Sequence, residues 1–196
     1  QRCAILVSRM ALTMPPPMFH DMVRATASWP DLCRRLISTS ATLSHARSRK
    51  LVALGLAHML RHASAQDKGL LSAVPDMIGM WTEVVGEVVE DEAGSADRYE
   101  RELSPTRALE IGEDGIPFLD EFGLIEAAPT PSSARTDAVR SRDPSFNVPL
   151  RAYVADTLNA VLQNGSYKTQ LQSLLATIDP LVLDTLQRGL SERPVA

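Results

Sequence analysis

Cysteine and aromatic side chains are scarce here, and a long uninterrupted apolar run is missing. Only Cys3 and Cys33 occur among 196 residues. At most one disulfide is possible, far below the density of a stapled secreted scaffold, so a reducing compartment is expected. No apolar stretch reaches the roughly eighteen residues needed to cross a bilayer. Arg9 and Pro15-Pro16-Pro17 cut short the first such stretch. Cys3 to Leu12 has the length of a signal-peptide h-region but the wrong flanks, with Arg9 inside it. The first residue is Gln1, and the chain is expected to be a fragment whose N-terminal neighbour has been removed. No glycine-rich phosphate loop and no credible nucleophile–base pair is found, which argues against an enzyme.

What is present is strongly segregated charge. Residues 1–68 hold ten Lys/Arg, three Asp/Glu and all four His, whereas residues 69–126 hold fifteen Asp/Glu and three Arg. The net charge of −4 conceals this division. Clustered charge steers association even when the total is small, so the basic part suits acidic partners and the acidic part basic ones. Solvated helix faces account for the same pattern.

Helical periodicity dominates both ends of the chain. Arg2–Leu12, Met18–Trp29 and Asp31–Thr42 read as helices, with prolines breaking the first and standing near the starts of the others. His45–Ala63 is apolar on nearly every side from Leu51 to Leu60, which predicts a helix buried between two neighbours. Pro75 opens a further amphipathic helix over Ser72–Glu92, with Ile78, Trp81, Val84, Val85 and Val88 inward and Glu83, Glu87 and Glu90 outward. Leu150, Tyr153, Val154, Leu158, Val161 and Leu162 form one stripe. Asn164-Gly165 reads as a left-handed stop, with Ser166 capping a helix that carries Leu171, Leu174, Leu175 and Ile178. Asp179-Pro180 starts the last, with Leu183, Leu186 and Leu190 inward. No segment reads as a strand. Residues 93–145 hold many glycines, prolines and acids without a sustained stripe, and are expected to be a mobile linker or long inter-helical loop between blocks 1–92 and 146–196.

Several residues invite a chemical reading and are better explained otherwise. His58 and His62 share a helix face, but Met59 stands where an H-E-x-x-H zinc motif needs its glutamate. Glu110–Glu121 has the length of a calcium loop, yet Gly112 supplies no ligand at its third place. Cys33 lies beside Arg34 and Arg35 without an assignable base, so a structural or merely exposed thiol is favoured. Asn164-Gly-Ser166 is a glycosylation sequon that a turn explains equally. Arg47, Arg49 and Lys50 lack interleaved aromatics, so no nucleic-acid module is expected. Trp29 and Trp81 suit core or inter-repeat contacts. No cofactor, catalytic residue or metal site is expected.

Sliding the first helix by 47 residues sets Arg2 on Arg49, Ile5 on Val52, Val7 on Leu54 and Leu12 on Met59. That offset lies at the upper end of the period of HEAT-type repeats, roughly 40 to 47 residues. The expected fold class is an all-α, HEAT/armadillo-type α-solenoid of antiparallel helix pairs with a long acidic inter-helical loop.

Two stretches carry a family likeness. One is Arg47-Ser-Arg-Lys-Leu-Val-Ala-Leu-Gly-Leu-Ala-His-Met-Leu60 with Trp81-Thr-Glu-Val-Val-Gly-Glu-Val-Val-Glu90; the other is Asp143-Pro-Ser-Phe-Asn-Val-Pro-Leu-Arg-Ala-Tyr-Val154 with Asp179-Pro-Leu-Val-Leu-Asp-Thr-Leu186. They resemble the C-terminal HEAT-repeat region of importin-β family transport receptors, the karyopherins, and within them the importin-11 branch. The resemblance implies a non-enzymatic receptor that carries protein cargo past FG nucleoporins of the nuclear pore, between nucleus and cytoplasm. Control by the GTPase Ran would run through N-terminal repeats that this sequence does not contain. Such receptors commonly meet basic localisation segments with acidic surfaces, which makes Glu83, Glu87, Glu90, Asp91 and Glu92 the candidate partner-binding residues. Membrane insertion is not implied. A HEAT-repeat scaffold unrelated to transport, or a small helical enzyme domain, is the alternative.

Overall fold

A computed structural model describes residues 1–64, 66–94 and 143–191, and every regular element among them is a helix. In chain order these are α1 (Arg2–Thr13), α2 (Pro16–Thr26), α3 (Trp29–Ser40), α4 (Ala46–Arg61), α5 (Lys68–Leu71), α6 (Val74–Gly94), α7 (Pro144–Asn147), α8 (Leu150–Gln163), α9 (Gly165–Leu175) and α10 (Pro180–Ser191). The fold is an all-α solenoid built on packed helix pairs. Most of the expected linker, residues 95–142, lies outside the described residues, as does the calcium-loop-length stretch Glu110–Glu121.

Proline and short polar side chains set the helix starts. Pro16 occupies the first turn of α2, where a missing N–H costs nothing. Ser28 caps α3, its Oγ accepting from the Asp31 amide at 3.3 Å while Pro30 fills the first turn. Trp29 therefore begins α3 rather than ending α2. Asp179 Oδ1 accepts from the Leu181 amide at 2.8 Å and opens α10.

The Asn164-Gly165 junction departs from the expected left-handed stop. Asn164 is extended, with φ −74° and ψ 105°, and its carbonyl accepts from the amides of Tyr167 and Lys168 at 3.0 and 3.1 Å. Asn164 thus serves as the boundary residue of both helices, and α9 starts at Gly165 without a separate turn.

α4 is the centre of the molecule. Leu51 through Ala57, with Met59 and Leu60, are all buried, because α4 lies against α1, α3, α6, α7 and α8 together. An apolar surface on every side of a soluble helix is stable only under such cover. α6 packs beside it and is itself covered by α10, and α8 lies against α4 and also meets α6 and α10, so helices from both ends of the sequence close over the same core. Trp81 of α6 is fully buried and donates its indole N–H to the Ala53 carbonyl at 3.2 Å. α3 contributes Trp29, Cys33, Leu36 and Ser40, spaced for a single inward stripe.

Ser8 of α1 and Gly55 of α4 meet where these two helices pack. A Cβ built on Gly55 would stand 2.9 Å from Ser8 Cβ and 3.0 Å from Ser8 Cα. α1 and α4 therefore approach closely at this point, and the contact needs glycine on one side.

Candidate functional site

Two buried aspartates organise the polar interior, and neither stands out in the sequence as a site residue. Asp67, between α4 and α5, is fully enclosed. Its carboxylate accepts from Trp29 Nε1 at 2.9 Å, from the Ser64 amide at 2.8 Å and from Ser64 Oγ at 2.7 Å. His20 Nδ1 lies 3.0 Å and Arg24 Nε 3.1 Å from it. Burial by itself raises a carboxyl pKa, but the bonds donated by Ser64 and His20 outweigh it and hold Asp67 down at about 2. One side chain thereby fastens α2 and α3 to the end of α4. The Ser64-x-x-Asp67 spacing of a local side-chain-to-backbone turn is the signal that marks it.

Asp143 plays the same part for the returning chain. Its Oδ1 accepts from the Ser145 amide at 3.0 Å and from Ser145 Oγ at 2.8 Å, capping α7. Its Oδ2 accepts from Arg9 Nη2 of α1 and Arg47 Nη2 of α4, both at 2.9 Å. Arg47 Nε also donates to Ser145 Oγ at 2.8 Å. Burial pushes the Asp143 carboxyl up, and the bonds from Arg47, Ser145 and Arg9 drive it well below the usual carboxylate range. Asp143 and Ser145, placed by the sequence at the end of a linker, are buried and pin α7 to α1 and α4.

The candidate acids lie on α6. Glu83 and Glu87, one turn apart, both pair with Arg49 of α4: Arg49 Nη2 reaches Glu83 Oε2 at 3.0 Å, and Nη1 reaches Glu87 Oε1. Glu83 remains largely exposed, and Arg49 is mostly covered. Residues 90–92 continue α6 toward Gly94. This link between the basic and acidic parts of the chain is invisible to separate charge counts, because it joins residues more than thirty positions apart.

The histidine pair is occupied by protein. His58 Nδ1 lies 2.6 Å from the Tyr153 hydroxyl of α8, and the His58 and His62 rings are 4.5 Å apart. Arg61 stands over the Tyr153 ring at 5.4 Å. Burial, helped by the neighbouring charges of His62, His20 and Arg61, pushes His58 down to about 4. His62 is lowered first by burial and then by the charges of Arg61 and His20. Burial raises the Tyr153 hydroxyl. Among the described residues no group of three or more His, Cys, Asp or Glu has the geometry to hold a metal ion.

Cys33 is buried, and burial pushes its thiol up to about 12, so the neighbouring arginines do not make it a thiolate. Cys3 is exposed. Trp29 and Trp81 are both core residues, each with its N–H satisfied. Among the described residues, no helix is long and apolar enough to cross a membrane.

Comparison with known proteins gives one result that spans the molecule. The family described as "Importin-11-like, TPR repeats" matches residues 1–191. No curated protein and no solved structure matches the chain. An ordinary TPR unit spans about 34 residues and a HEAT unit roughly 40 to 47; both are helix-pair repeats that stack into solenoids.

Proposed function

The chain belongs to the importin-11-like TPR-repeat family, and from that premise we propose that it is a protein-binding portion of a nuclear transport receptor, meeting protein cargo and FG nucleoporins in Ran-dependent passage through the nuclear pore. The observation that carries this reading is a family match over residues 1–191 of an all-helical fold. The role is non-enzymatic, and the receptor moves between cytoplasm and nucleus. Ran engagement is expected of the N-terminal repeats of such receptors.

The α6 acids Glu83, Glu87, Glu90, Asp91 and Glu92 are the proposed surface for basic cargo. Fifteen of the twenty-four acidic residues fall between positions 69 and 126, and clustered charge of one sign attracts cations. Arg49 already bridges Glu83 and Glu87, so a basic partner shares those carboxylates with it or displaces it. Exposed charge is screened over roughly 8 Å at physiological salt, and its contribution falls as salt rises.

The test is to neutralise Glu87→Gln, Glu90→Gln, Asp91→Asn and Glu92→Gln together in the full receptor and to measure cargo pull-down and nuclear accumulation at two salt concentrations. Cargo recovery is expected to fall, most at low salt. Unchanged recovery would assign these acids to solubility.

A further inference from the structure

We infer that Ser145 is a phosphoacceptor whose phosphate is gripped by Arg9 and Arg47 in place of Asp143. Ser145 Oγ is already in contact with one guanidinium, Arg47 Nε at 2.8 Å. A second, that of Arg9, reaches the other oxygen of the same capping carboxylate. Two arginines from two different helices thus converge on one point, where the Asp143 carboxylate and the Ser145 hydroxyl receive them.

The chain leading into this point reads Arg140-Ser-Arg142-Asp-Pro-Ser145-Phe146. Arginines five and three positions ahead of a serine, with a large apolar residue after it, suit a kinase cleft lined with acids. Ser145 is 4% exposed, so transfer requires α7 to lift from α1 and α4. α7 is a single turn of four residues, a unit small enough for local opening while the rest of the molecule stays folded.

In the transfer, Ser145 Oγ attacks the γ-phosphorus of ATP, the bond to the bridging β,γ-oxygen breaks, ADP leaves, and the hydroxyl proton passes to the kinase's catalytic carboxylate. The product has no Oγ–H to donate to Asp143. It also sets a charge of about −1.5 to −2 against the Asp143 carboxylate. Two guanidinium groups cannot neutralise both anions, and the phosphate, with three acceptor oxygens, forms the stronger charge-assisted pairs. Asp143 is expelled toward solvent, the α7 cap is lost, and α7 is no longer pinned to α1 and α4 through Asp143.

The experiment treats the intact chain with protein kinase B and ATP and locates phosphate by peptide mass spectrometry. Release of the phosphate by a broad-specificity phosphatase is then timed in the wild type, in Arg47→Gln and in Arg9→Gln, with circular dichroism confirming that each variant is folded. Arg9 is half exposed, so its loss tests the grip with little risk to the fold. The expected result is one phosphate at Ser145, absent in Ser145→Ala, and release about tenfold faster in either arginine variant. Phosphate only at Ser141, no phosphate on the folded chain, or release indifferent to both arginines would overturn the proposal.

Discussion

Asp67 and Asp143 show how single side chains join helices that the apolar pattern cannot align. Each carboxylate is buried and accepts from a nearby serine and from at least one arginine of another helix. A carboxyl depressed in the folded state stabilises it above the unfolded pKa, and that stability is lost as pH falls toward the folded value. For Asp67 the window runs from 3.8 down to about 2, and the loss across it is about 2 kcal/mol. His58, lowered from 6.5 to about 4, behaves with the same sign, since its protonation favours the unfolded chain. Its contribution is present above pH 6.5 and disappears as pH falls to about 4. Urea midpoints measured from about pH 8 to about pH 2.5 should therefore decline in two stages, with His58→Gln shrinking the upper stage and Asp67→Asn the lower, while His62 and Asp143, lowered in the same direction, supply the remainder of each. A single stage unaffected by either substitution would contradict these assignments.

At the scale of the helix, the sequence was most legible where burial is periodic or complete. The unbroken apolar surface from Leu51 to Leu60 predicts a helix covered on several sides, and α4 is covered by five neighbours. The stripe beginning at Leu150 is found on α8, where Leu150, Val154 and Val161 are buried. Legibility failed at junctions. Trp29 looks like the apolar end of one helix, and only the Ser28 cap makes it the start of the next. Asn164-Gly165 has the composition of a left-handed stop, yet an extended Asn164 serves both helices. The distant partners of His58, Arg49, Asp67 and Asp143 were hidden for a different reason: contacts across the fold leave no local spacing to read, and only the serines Ser64 and Ser145 lie close in sequence.

The same helices distinguish two glycines that composition treats alike. Gly55→Ala should destabilise the protein by about 1 to 3 kcal/mol, because its new methyl meets the α1 backbone at Ser8 and overpacks the contact. Gly86, in the interior of α6, has nothing within 4 Å of the place a methyl group would take. There alanine should stabilise by up to about 1 kcal/mol through helix propensity alone. Thermal unfolding of the two variants checks the pair, and equal shifts would contradict the close approach of α1 and α4.

For the whole molecule, the decisive feature is that α4 gathers helices from both ends of the chain, so the basic part and the acidic part share one core. Their charges meet where Arg49 reaches Glu83 and Glu87. A solenoid of this kind presents side chains over a broad surface, and protein binding is the work such a surface does. The family assignment agrees with that architecture, and the acidic surface proposed for α6 makes a prediction that can be measured directly. Stopped-flow association of the intact chain with a fluorescent Lys/Arg-rich peptide, at low and physiological salt, tests the central claim. The account predicts that wild-type association slows about tenfold or more as salt rises. The variant neutralised at Glu87, Glu90, Asp91 and Glu92 should associate slowly at both concentrations. Equal rates for the two proteins at both salt concentrations would contradict it.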